Sequence, residues 1–301
     1  IVVISPHATT YGDYFYVAPG LHAEGSFASF GAPSIIVDVD YDDELRRLII
    51  EEGTNVNLPC GTLGEKSRDL DHGTMIPLSF IQSRYSSFKT VRLSFSYLPR
   101  SDHYRYGMAI KKAIDRTNKS VVVIASGDLS HTLIHEGPYG YTQEGPEFDQ
   151  WMQSLVTTTR FDECFTKNEH WLEKANECGF RSFLIMTGLF DGYSVDSKLL
   201  SYEGPFGVSY LVASFKSRES DESRRFLNAY LDFETKRLDE KKQMEDPYVS
   251  LARQSITYFV KNRKRMAIPN DTDTKMLTTK AGVFVSLKKD HQLRGCIGTT
   301  A

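Results

Sequence analysis

The chain has little cysteine: four in 301 residues, Cys60, Cys164, Cys178 and Cys296, none in a Cys-x-x-Cys pair. That excludes a disulfide scaffold and suits a reducing compartment, with the cytoplasm as default. Long apolar runs are missing too. The longest are strand-sized, so no helical segment is expected to span a bilayer, and no membrane partner is expected. A formal net charge of −3 gives no electrostatic case for a nucleic-acid partner. No His-Glu-x-x-His metalloprotease motif occurs. The run Gly61-Thr62-Leu63-Gly64-Glu65-Lys66-Ser67 is not a phosphate loop, because Glu65 interrupts the Gly-Lys pair and no strand leads in.

What is present is an ordinary globular composition, 40% hydrophobic and 25% charged. Strand-like runs at 1–5, 34–39, 90–96, 120–125 and 207–215 alternate with helical patterns at Asp42–Glu52, Tyr104–Thr117, 146–157 and about Trp171–Leu189. The alternation predicts an α/β fold, a central mixed sheet flanked by helices, over residues 1–215. Residues 216–246 are dense in mixed-sign charge and read as a solvated linker or helix. An amphipathic helix, Tyr248–Asn262, and a strand at 283–287 then open a second α+β domain over 247–301. The chain begins without Met inside a strand-like run and stops just after another, so it reads as part of a longer polypeptide.

Three histidines stand in related settings. His7 closes Ile1-Val2-Val3-Ile4-Ser5-Pro6, His131 closes Val121–Ser130, and His72 lies in Asp69-Leu70-Asp71-His72-Gly73-Thr74-Met75-Ile76-Pro77-Leu78. A Gly beside a His lets a tight turn present the ring. A neighbouring acid can fix the imidazole tautomer. In α/β sheets ligands gather at strand ends, so the three imidazoles predict one shared cleft. Imidazole suits Fe, Zn and Cu, and two His plus a carboxylate form the facial triad of non-haem iron oxygenases. The candidate carboxylates are Glu177, inside the predicted helix, and Glu203, in a Gly/Pro turn before a strand; Cys178 reads as a small buried apolar residue. His22, His103, His135, His170 and His291 read as surface positions, His22 being nearest in sequence to His7.

The run Val3–His7, the Asp69–Leu78 run and Ser126-Gly127-Asp128-Leu129-Ser130-His131 together resemble the catalytic subunit of class III extradiol ring-cleavage dioxygenases, the LigB-like family, whose fold the Memo-like proteins share. Leu251–Ile256, Ala281–Leu287 and Leu293-Arg294-Gly295-Cys296-Ile297-Gly298-Thr299 resemble the start of an AMMECR-type domain. The fusion is similar to the AmmeMemoRadiSam system proteins. The resemblance implies His7 and Glu177 as metal ligands with a further His upstream of residue 1. It implies His131 as acid/base and His72 as a cleft residue contacting substrate or oxygen, with Asp71 beside it on the substrate side. Memo-like proteins carry a Cys near 178, so the resemblance also implies Cys178 as a rival to Glu177 as metal ligand. The implied cofactor is Fe(II), with Zn or Cu as alternatives, and the implied partners are a small aromatic substrate, O2 and a radical-SAM protein. Extradiol cleavage of a catechol is the implied reaction; a Memo-like metal-binding redox or partner protein is the alternative. A homodimer is the base-rate assembly. Cys296 reads as structural.

Overall fold

The computed structural model describes all residues except 67, 68, 290, 291 and 301. His291, and Ser67 at the end of the Gly61–Ser67 run, lie outside the described residues. The chain divides into two units, Ile1–Tyr230 and Leu231–Ala301.

In chain order the first unit contains β1 (Val2–Ile4), β2 (Phe15–Tyr16), β3 (His22–Phe27), β4 (Ala32–Asp40), α1 (Asp43–Asn55), β5 (Cys60–Gly61), α2 (His72–Gln82), β6 (Val91–Leu93) and α3 (Arg100–Asp115). It continues with β7 (Val123–Ala125), α4 (Glu144–Thr158), α5 (Glu169–Ala175), α6 (Phe180–Gly188), β8 (Tyr193–Glu203), β9 (Tyr210–Ser220) and the start of α7 (Phe226–Gln243). Among the described residues, β6-β1-β7 form a parallel sheet with β1 central. An antiparallel bridge, Val17 to Leu93, brings the β2–β5 pair alongside β6, so strand direction in the array is mixed. Val2, Val3 and Ile4 are fully buried on both faces, as a run without polar alternation requires of a central parallel strand. β3–β4 and β8–β9 are separate antiparallel hairpins. The α/β architecture is thus a small central sheet with helices and satellite hairpins.

Helix α3 crosses α6 unusually closely. A Cβ on Gly107 would stand 1.9 Å from the Ile185 carbonyl oxygen, and one on Gly188 would stand 2.1 Å from the Tyr104 oxygen. The two glycines let the backbones touch, which fixes where α6 begins.

Several expectations need correction. The helix expected over 171–189 is two, α5 and α6, broken where Asn176 takes a left-handed conformation (φ 51°). The Asp71–Leu78 run is not a turn but the start of α2: Asp71 caps it and His72 is its first residue. Gly73 does not need positive φ; it is small because a Cβ would stand 2.5 Å from Ser5 Oγ. Residues 193–203, given no strand, form β8, whose half-buried and exposed residues largely alternate against β9. Glu203 ends β8 rather than shaping a turn. Within the charged stretch 216–246 the helix alternative holds, since it contains all of α7, but its start forms the end of β9. His103 is not a surface residue. It is completely buried, its ring nitrogens 3.0 Å from Pro99 O and 2.8 Å from Ser96 O.

The second unit contains the rest of α7, α8 (Pro247–Asn262), α9 (Thr274–Thr278), β10 (Val283–Lys289) and β11 (Gln292–Thr299). Asp246 caps α8 by accepting from the Tyr248 and Val249 N–H groups, with Pro247 in the first turn. β10 and β11 pair antiparallel, with Ser286 opposite Cys296.

Candidate metal centre

The three histidine motifs meet after the C-terminal ends of β1 and β7, and direct bonds lock them together. Ser5 Oγ donates to Asp71 Oδ1, and Ser126 Oγ donates to Gly73 O at 2.6 Å. Asp71 also accepts from Thr74 N at 3.0 Å and Thr74 Oγ1 at 2.8 Å, and Arg92 Nη1 lies 3.8 Å from its other oxygen. Its carboxylate is therefore engaged in holding α2 against β1. The result is that His72, at the helix start, packs on His7 with ring centroids 4.0 Å apart and planes tilted by 30°.

Gly127 (φ 140°) lies back to back with Gly179; a Cβ on Gly127 would stand 2.4 Å from the Gly179 Cα. This contact brings the β7 loop against the turn before α6. Gly179 N donates to Asp128 O at 2.9 Å, and Asp128 N donates to Cys178 Sγ at 3.1 Å. His131 is fixed by its own N–H to Ala175 O, and neighbouring Ser130 by Asp149 and Ala175.

The outcome is a compact donor set. Ligand atoms of Asp128, His131 and Cys178 all lie within 4.8 Å of one another. His7 Nε2 is 3.8 Å from Cys178 Sγ. His131 Nε2 is buried without a hydrogen-bond partner, Asp128 Oδ2 being 3.7 Å away. Burial, then the neighbouring His72, lowers the His7 pKa, which keeps its imidazole neutral and able to ligate. Burial pushes the Cys178 thiol up to about 12, so without a cation it stays protonated. A carboxylate, a thiol and an orphaned imidazole nitrogen within 4.8 Å of one another, with the His7 imidazole 3.8 Å from that thiol, offer donors that fit a transition-metal ion.

Glu177 is placed differently. Its Oε2 accepts from Phe180 N at 2.6 Å, capping α6, and burial pushes its carboxyl up to about 7. The structure therefore brings Cys178, not Glu177, to His7. Asp128 was part of a quoted motif but was given no role. The signal was available in its placement three residues before His131 in a strand-end loop. His22 lies apart from this centre, 3.6 and 3.4 Å from Asp38 and Asp40 across the β3–β4 hairpin. Cys296 belongs to the second unit, where Ser286 Oγ donates to its sulfur at 3.3 Å. No helix among the described residues is long and apolar enough to cross a membrane.

The chain is similar to several known proteins. A Clostridium acetobutylicum protein, Protein CA_C1420, is 37% identical over 310 residues, covering 99% of this chain and 65% of its own. The Escherichia coli 3,4-dihydroxyphenylacetate 2,3-dioxygenase is 31% identical over 146 residues, 45% of this chain and 51% of its own. A Pseudomonas 2-aminophenol 1,6-dioxygenase beta subunit is 25% identical over 195 residues, 58% and 63%. The chain thus spans between about half and two thirds of the length of these relatives. Residues 249–301 match the AMMECR1 family. Residues 1–213 match the family described as the catalytic LigB subunit of aromatic ring-opening dioxygenase, and the chain belongs to that family.

Proposed function

We propose that the first unit binds a divalent transition metal, Fe(II) before Zn or Cu, and, loaded with Fe(II), opens the ring of a catechol-type aromatic with O2. The observation that carries the reading is the convergence of Asp128 and His131 from the loop after β7 with Cys178 from the α5–α6 turn, and of His7 from the end of β1 onto that thiol. The bound metal would supply a Lewis-acid centre where a diolate and dioxygen are held side by side. Asp128 and Cys178, from the close donor set, and His7, 3.8 Å from the thiol, are the residues that would hold it, which leaves His131 of that set for proton transfer. His131 Nε2, buried and unpaired, is positioned to take a proton from a substrate hydroxyl and return it, a role typically giving about 10²–10⁴-fold. His72, packed on His7, fixes that ring and faces the same cleft. Asp71 acts through α2, by setting the position of His72. Glu177 stays on the α6 N-terminus.

One observation favours a second reading. A thiol beside His7, where a carboxylate would complete a facial triad, favours a Memo-like metal-binding redox protein working with a radical-SAM partner and not cleaving rings. The test is anaerobic loading of the full chain with Fe(II), followed by a panel of catechols in air. The first reading gives O2 uptake and a yellow ring-opened product, both lost in His131→Ala. Stoichiometric bound metal with no uptake across the panel rejects ring cleavage and leaves the second reading.

A further inference from the structure

Two large exposed rings flank the centre and have no role so far. Phe30 is 60% exposed and Tyr139 58% exposed. Each packs on one imidazole of the cleft: Phe30 on His72 at 5.6 Å between centroids, Tyr139 on His131 at 5.2 Å. Between them the contacts run His72 to His7, His7 to Cys178, Cys178 to Asp128 and Asp128 to His131. Phe30 therefore adjoins the His72–His7 pair and Tyr139 adjoins the His131 side of the donor cluster.

Both are carried on built turns. Phe30 ends the short 3-10 turn Ala28–Phe30 between β3 and β4, where Gly31 (φ 79°) reverses the chain and donates its N–H to Ala28 O. Phe27 packs edge-on against it at 6.1 Å. Tyr139 sits in a loop closed by Gly137 N to Ile134 O and Gly140 N to Gly137 O. Turns that hold rings of this size in solvent forgo the burial such rings usually gain.

We propose that Phe30 and Tyr139 are the specificity walls of the cleft, selecting a planar aromatic diol over non-aromatic chelators of the same metal. The proposal rests on the reading that the cleft holds a metal and a diol. Face or edge contact with an aromatic ring adds to metal chelation, whereas a small aliphatic chelator reaches the metal without touching either wall.

The test uses the full chain loaded with Zn(II), which prevents turnover, and calorimetric titration with 4-methylcatechol and with acetohydroxamate. Phe30→Leu and Tyr139→Leu each weaken 4-methylcatechol binding roughly 3- to 10-fold. Phe30→Tyr restores it, and acetohydroxamate affinity and zinc stoichiometry stay unchanged. Unchanged 4-methylcatechol affinity in both Leu variants, or an equal loss for both ligands, overturns the assignment. So does a zinc-loaded wild type that takes acetohydroxamate but not 4-methylcatechol. A wild type that takes up no metal is seen before any ligand is added and overturns the underlying reading together with the walls.

Discussion

At the scale of single residues the chain spends its buried polar groups on positioning. Asp71 shows this. Its two oxygens serve Ser5, Thr74 and, through charge, Arg92. Asp71→Ala removes a helix cap and leaves Arg92 without that carboxylate, so it should cost about 1–3 kcal/mol of stability, measured as a lower urea midpoint at unchanged slope. His103 makes a pH-dependent contribution. Burial, reinforced by Arg181, pushes it from 6.5 down to about 3 against the pull of two carbonyls. Below pH 6.5 the unfolded chain takes up a proton that the folded chain refuses. Stability is therefore lost as pH falls from about 6.5 towards 3, by at most about 1.4 kcal/mol per pH unit from this group. His103→Gln should flatten the urea midpoint between pH 6.5 and 4.5 relative to wild type; parallel profiles would contradict the assignment. His103 also marks the limit of reading residues one at a time. Its surroundings, Ser96, Pro99 and Phe15, become visible only once α3 docks on the sheet.

At the scale of elements, glycines decide the geometry. Gly107 and Gly188 set the α3–α6 crossing, and Gly127 with Gly179 sets the approach of the β7 loop to Cys178. Gly107→Ala drives a methyl into the Ile185 carbonyl and should cost about 1–3 kcal/mol or more, read as a fall in Tm. Gly73→Ala presses on Ser5 Oγ and on the His7 ring. Its signature is weaker metal binding, expected to exceed what its loss of stability explains. The sequence was legible where the pattern is strong. The β1 run, the order of α1, α3 and α4, and the three motifs were all readable because their apolar spacing or composition is local. What was lost depends on packing. The α5/α6 break needs Asn176 in a left-handed turn, β8 alternates with polar residues that mimic a loop, and α2 begins on a helix cap with Pro77 inside it. Convergence of the motifs was legible from the strand ends. The choice between Glu177 and Cys178 was not, since it depends on Glu177 being taken up by the Phe180 N–H while the Cys178 sulfur reaches His7, contacts made only after folding.

At the scale of the whole molecule, the division after Tyr230 falls inside α7. Leu227 near its start is buried, whereas Leu231, Phe233 and Leu238 are exposed. Limited proteolysis should nick first between about 231 and 246 and release a stable fragment ending there; early cuts within 1–220 would contradict the unit assignment. The LigB match over 1–213 and the AMMECR1 match over 249–301 flank the same segment. The chemistry proposed belongs to the first unit alone, so substitutions at Cys296 should leave metal binding unchanged.

The central claim is that strand-end loops build one metal centre with Cys178 at it, and anaerobic titration with Co(II) tests it most directly. Wild-type chain should bind one ion per chain with a thiolate-to-cobalt charge-transfer band. That band should vanish in Cys178→Ser and weaken at least tenfold in apparent affinity in His7→Ala, yet persist in Glu177→Gln. Retention of full affinity and spectrum in Cys178→Ser, with loss in Glu177→Gln, would contradict the account.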